Sequence, residues 1–225
     1  MKKIILSIVS ILVICIAIIV INFFIFQKNS RVISQGKPII KYDTIKQALL
    51  VIDIQEGLTG KLATNDDYLG NSDELIRIIN QIVDSLGKTD IPVIYVKNEI
   101  SNVLINLLNS SLAKGSPGSE LDSRLNVVSN YIINKEKGDA FSNPLLDSLL
   151  IKKEINKLVF VGLDLAYCVN RTIEAANNRN YNICIINDAV LSESDSLKNE
   201  MLDKFKQSGY EILSSEEYLE NINYN

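Results

Sequence analysis

The sequence predicts an α/β fold, a doubly wound and mostly parallel sheet of about six strands with helices on both faces, preceded by one N-terminal transmembrane helix. Three observations predict it. Ile4 to Phe26 is a run without a single charge. Beyond residue 44, short β-branched-rich runs alternate with amphipathic stretches. Most of those short runs are apolar at consecutive positions, as in strands buried on both faces.

The first element is the run IILSIVSILVICIAIIVINFFIF, interrupted only by Ser7, Ser10 and Asn22. At about 1.5 Å per residue it covers the roughly 30 Å hydrocarbon thickness of a bilayer. A cleaved signal has an apolar region of only about 7 to 15 residues ending in small side chains. Here the run is longer and ends in Phe23, Phe24 and Phe26. Cys15 follows bulky Ile14 in mid-run, which does not suit a lipidated cysteine. Residues 1–26 are therefore expected to be a retained signal anchor. Lys2 and Lys3 lead it and Lys28 and Arg31 follow it; the short leader favours a cytoplasmic N-terminus, a single pass through the cell membrane and a domain outside the cytoplasmic face.

Residues 27–44 carry Ser, Gln, Gly, Lys and Pro without a period and read as a tether, leaving 45–225 as the domain. Strands are expected at ALLVIDI (48–54), PVIYV (92–96), NVVSNYII (126–133), KLVFVG (157–162) and NICIIND (182–188), with YEILS (210–214) as the sixth. The clearest helix is SDELIRIINQIVDSLGK, with Leu75, Ile79, Ile82 and Leu86 on one face, Gly87 ending it and Asn71 with Glu74 as a capping-box variant. Two more helices are expected at 169–180 and 195–209.

Composition excludes several functions. Taking Lys2 and Lys3 from the 23 basic residues leaves 21 against 27 acidic ones, so the soluble part is acidic and has no basic stripe for nucleic acid. With no histidine, a His-based triad, a His metal site and a His proton shuttle are all excluded. No metal or cofactor is expected. The domain holds only Cys168 and Cys184, too few for a disulfide scaffold. Cys184, inside ICII, is assigned to the core; Asp188, ending its strand, is assigned a structural role.

In a parallel sheet, reactive groups gather at the carboxyl ends of strands. Asp53 ends the first strand, Lys135 follows the third, and Cys168 lies beyond the fourth at the expected start of a helix. A thiol at a helix N-terminus, helped by an ammonium, is expected to have a lowered pKa, and without histidine a carboxylate is the natural proton carrier. Taken singly, each is also explained as a buried cysteine, a turn cap and a solvated charge. A silent binding or scaffold protein is the alternative. A nucleotide-binding oxidoreductase would need a G-x-G-x-x-G turn where VIDIQEGLTG stands.

Four segments in order resemble the isochorismatase-like cysteine hydrolases: ALLVIDIQEG, KGSPGSELDSRL (114–125), INKEKGDAF (133–141) and GLDLAYCVNRTIEAA (162–176). The resemblance implies a catalytic Asp53, Lys135 and Cys168. It further implies a cis peptide joining Leu163 and Asp164, with the amides of Asp164 and Cys168 as an oxyanion hole. Leu165 stands where the family often has Thr, and the histidine ligands of the nicotinamidase branch are missing. The expected reaction is hydrolysis of an amide or ureido C–N bond of a small molecule through a thioester on Cys168. Relatives of this type are often multimeric, so a homo-oligomer is one of the states left open.

Overall fold

The computed structural model describes residues 2–40 and 42–223. Met1 of the anchor, Lys41 of the tether and Tyr224 and Asn225 at the domain's end lie outside the described residues.

Helix α1 (Lys2–Ser30) comes first, 29 residues with no buried side chain, long and apolar enough to cross a membrane by length and composition. A six-stranded sheet follows, formed by β1 (Gln47–Ile52), β2 (Val93–Asn98), β3 (Ile132–Lys135), β4 (Lys157–Gly162), β5 (Asn182–Val190) and β6 (Glu211–Leu213). All pairings are parallel and the order is β3-β2-β1-β4-β5-β6. The order reverses between β1 and β4, and the crevice that this opens at the carboxyl ends is where such sheets hold ligands.

The apolar strands split their side chains between two cores. Ala48, Leu50 and Ile52, with Leu158 and Phe160, pack against α4 (Pro144–Lys152), α5 (Asn170–Asn177) and α6 (Asp195–Gln207). Leu49, Val51, Val159 and Val161 face the other way, onto α2 (Asp66–Leu86) and α7 (Ser215–Asn223). A short α3 (Val103–Leu108) lies outside both cores, with Ile105 as its buried residue.

Two expectations need correction. Helix α2 starts six residues earlier than Ser72: Asn65 caps it, accepting from the amides of Asp67 (2.9 Å) and Tyr68 (3.4 Å), and Asp66 and Asp67 fill the first turn. Asn71 instead bonds back to the Asp67 carbonyl within the helix, and Glu74 pairs with Arg77. The expected third strand shrinks to Ile132–Lys135, because Tyr95 Oη donates to the Asn126 carbonyl (2.8 Å) and accepts from the Val128 amide (3.1 Å), holding 126–128 as a loop. Lys135 thus closes β3 rather than following it.

The segment expected as a free tether is docked. Ile33 and Ile39 pack against the first core, and buried Arg179 reaches back to it, donating to the carbonyls of Ser34 (3.1 Å) and Gln35 (3.2 Å). Ser34 donates through Oγ (2.6 Å) and its amide (3.2 Å) to Asp139, and the Gly138 amide donates to Ser30 O (2.9 Å).

Candidate active site

Asp53 is the first residue beyond β1 and is 2 % exposed. Its amide is anchored to Val96 O (2.9 Å) and its φ is +56°, a left-handed conformation that a non-glycine residue adopts at a cost of about 1 to 3 kcal/mol where the surroundings impose it. Two residues on, fully buried Gln55 ties this turn to its neighbours. Its Nε2 donates to the carbonyls of Asn98 (3.0 Å) and Ser119 (2.8 Å), and its Oε1 accepts from the Asn98 amide (2.8 Å).

Lys135 enters from β3, two strands from β1 and so about 10 Å away at the usual strand spacing. Only a long side chain closes that gap. Its ammonium donates to Asp53 Oδ2 (2.9 Å) and to Cys168 Sγ (3.3 Å), fully out of solvent. Burial alone would push the ammonium pKa down; the charge of Asp53 and the neighbouring sulfur outweigh it and hold the value above that of an ordinary lysine. Oδ1 of Asp53 is buried with no hydrogen-bond partner among the described residues, leaving it as the oxygen able to take a proton.

Cys168 lies in a π-helical turn, Leu165–Val169, that precedes α5, and such turns recur at functional sites. As a residue Cys168 is partly exposed, whereas Asp53 and Lys135 are buried. Burial pushes the Cys168 thiol up to about 12; Lys135 pulls the other way, and the Asp53 charge adds to the rise. The expected lowering is not what the site gives: burial, with the Asp53 charge, outweighs the pull of Lys135 and moves the thiol pKa upward.

The peptide bond between Leu163 and Asp164 is cis. The Asp164 side chain has its own network, accepting from Ala166 N (2.6 Å), Ser192 Oγ (2.8 Å) and Tyr68 Oη (3.0 Å). Burial lifts its carboxyl above the ordinary value despite those three donors, and the Tyr68 phenol is pushed up by its own burial and by Asp164. Thr172 Oγ1 donates to Cys168 O (2.7 Å) and accepts from Ala140 N (3.2 Å), joining α5 to the loop after Lys135. Leu165 sits fully in the first core, so its place in the fold is filled by packing rather than by a hydroxyl.

Asp53, Lys135 and Cys168 are thus brought into one cluster. Tyr68, Ser192 and Gln55, which support it, were not singled out from the sequence. Gln55 had a signal, as a polar residue directly after an apolar strand, whereas Tyr68 and Ser192 had none. Cys184 is fully buried in the second core, and Asp188 caps α7 by accepting from Ser215 N (2.8 Å) and Oγ (2.6 Å). Among the described residues no group of three His, Cys, Asp or Glu side chains is placed to hold a metal.

Residues 47–217 match the family model of the isochorismatase domain. The ureidoacrylate amidohydrolase RutB of Acinetobacter baylyi is 27% identical over 172 residues, 64% of this chain and 70% of that protein. Among solved structures, N-carbamoylsarcosine amidase from Thermoplasma acidophilum superposes with a TM-score of 0.65 at 26% identity, covering 76% of this chain and 97% of that one. An isochorismatase-like hydrolase from Alkaliphilus metalliredigens gives a TM-score of 0.70 at 20% identity, covering 79% of this chain and 98% of that one.

Proposed function

Since the chain belongs to the isochorismatase family, we propose that it is a cysteine hydrolase that cleaves an amide or ureido C–N bond of a small molecule through a thioester on Cys168. The observation that carries this reading is one ammonium, Lys135 Nζ, bonded at once to Asp53 Oδ2 and Cys168 Sγ, beside an unpartnered Asp53 Oδ1. The amidase and amidohydrolase among the relatives favour C–N over other bonds.

In this reading the thiol stays protonated until a substrate carbonyl arrives. Asp53 then takes the proton as sulfur attacks, and Lys135 offsets the charge that forms on sulfur. The amides of Asp164 and Cys168 receive the oxyanion, each donor lowering the barrier by about 3 to 4 kcal/mol. As the C–N bond breaks, Asp53 returns the proton to the departing amine, leaving a thioester. Water gives a proton to Asp53 and attacks the thioester; the thiolate leaves and recovers that proton. A carboxylic acid departs from an amide substrate, a carbamic acid from a ureido one. Helix α1 is, on the same reading, a retained single-pass anchor with its N-terminus in the cytoplasm, which its length and leading lysines support.

The test is a panel of amides and ureido compounds offered to the full-length chain in detergent, with ammonia or amine release measured. Turnover should occur for at least one class and vanish in Cys168→Ala, and hydroxylamine should trap the acyl group from the wild-type chain alone. No turnover across the panel, with Cys168 also inert to alkylation, would return the fold to a binding or scaffold role.

A further inference from the structure

The chain leaves α1 at the same edge of the sheet where Asp53, Lys135 and Cys168 meet. Phe26, Asn29 and Ser30, at the end of α1, share a cavity of about 360 Å³ with Ile100, Ser101 and Asn102, which follow β2, and with Glu136 and Lys137, which follow Lys135. The Gly138 amide closes the join on Ser30 O at 2.9 Å. Helix α3 also packs against α1. On α1 the half-buried positions include Ile19, Asn22 and Phe26, spaced three and four residues apart on one face, and Ile19 and Asn22 belong to the apolar run itself.

Among the described residues, one side of helix α3 has no partner. Asn102 caps it, accepting from the amides of Leu104 (3.0 Å) and Ile105 (3.2 Å), and Ile105 turns inward. Val103, Leu107 and Leu108 are 71%, 72% and 59% exposed, three large apolar side chains on a helix of six residues. Each left in water forgoes about 1.5 to 3 kcal/mol of burial. Beside them, where α1 emerges, Lys28 and Arg31 are exposed cations suited to lipid phosphates.

We propose that α3 is a second membrane contact, in which Val103, Leu107 and Leu108 enter the interface of the bilayer that α1 crosses and hold the catalytic edge of the sheet against the headgroup layer. This rests on α1 spanning the membrane and is independent of the reaction performed at Cys168. A side chain that packs beside a lipid-facing helix at the depth of Asn22 to Phe26 meets acyl chains and headgroups rather than bulk water.

The chain has no tryptophan, so one introduced residue reports alone. Full-length Leu107→Trp and Val103→Trp, each reconstituted into phosphatidylcholine–phosphatidylglycerol vesicles with and without brominated acyl chains, are compared with Ile151→Trp. Ile151 is 55% exposed at the end of α4, toward the opposite edge of the sheet. Emission from the α3 reporters should be blue-shifted and quenched by bromine at least about twofold more than that of Ile151→Trp, as insertion to the headgroup–acyl boundary requires. Equal quenching in protein that resists carbonate extraction would overturn the α3 contact while leaving the anchor standing. A blue shift without bromine quenching would mean that a second copy of the chain covers α3, and release by carbonate would overturn anchor and contact together.

Discussion

Cys168 holds its proton against an ammonium only 3.3 Å away, because burial and the Asp53 charge act in the other direction. That balance separates two measurements that usually move together. Alkylation of wild-type Cys168 should speed up about tenfold per pH unit toward a plateau near 12, as the thiolate fraction grows. Asp53→Asn removes a charge that keeps the proton on sulfur, so alkylation at neutral pH should become faster while turnover falls by about two to four powers of ten for want of a proton carrier. Lys135→Met should slow both. Peptide mass spectrometry after a short iodoacetamide pulse reads the first quantity and ammonia release the second. Cys184, its thiol also pushed up to about 12 by burial, should stay unlabelled until the domain unfolds, since no solvent reaches it. The three clustered residues were legible because Asp53 and Lys135 lie at strand ends and Cys168 follows the fourth strand at the turn into a helix. Tyr68 and Ser192 were not, being 96 and 28 residues from the Asp164 that they hold, with no local pattern to link them.

Among elements, a close fit lies where β4 leaves β1. Gly162 has φ +110°, and a Cβ there would stand 2.1 Å from Ile52 O, the oxygen that accepts from Leu163 N at 3.0 Å. An alanine must therefore both strain its own backbone and push two central strands apart beside the site. Gly162→Ala should cost about 3 kcal/mol or more, a fall in Tm of roughly 6 to 12 °C for a domain of this size. Gly115→Ala, at φ +74° with open space around it, should cost about 1 kcal/mol from strain alone, and scanning calorimetry of the pair separates clash from strain. Strand identity was legible because fully buried parallel strands are apolar at every position. Boundaries were less so. Asn126–Val128 is as apolar as a strand, yet Tyr95 Oη claims its backbone, a contact from 31 and 33 residues away. The start of α2 was hidden by Gly70, which sits in open space inside the helix where glycine usually ends one.

At the scale of the whole chain, α1 should keep the full-length protein in the membrane pellet through carbonate washing, and recovery of a soluble form beginning after Phe26 would refute a retained anchor. What joins anchor to domain is the docked segment around Arg179, whose guanidinium also pairs with Asp147 (2.8 and 2.9 Å) and lies 4.4 Å from the Phe141 ring. Arg179→Ala should cost about 3 kcal/mol and loosen the segment that follows exposed Arg31, so that trypsin cuts there faster, read by melting temperature and by the rate of cleavage. Composition could mark residues 27–44 as polar and aperiodic, but the arginine that fastens them lies 145 residues beyond Ser34. Ser30 and Ser34 are bonded to Gly138 and Asp139, which lie on the short connection between Lys135 and Phe141. Thermodynamic linkage makes such a joint work in both directions: any factor by which the docked segment tightens ligand binding is the factor by which a bound ligand tightens the segment. A ligand bound at Cys168 would then be felt as slower hydrogen exchange at the Ser34 amide, a signal carried out of the catalytic crevice to the root of the anchor.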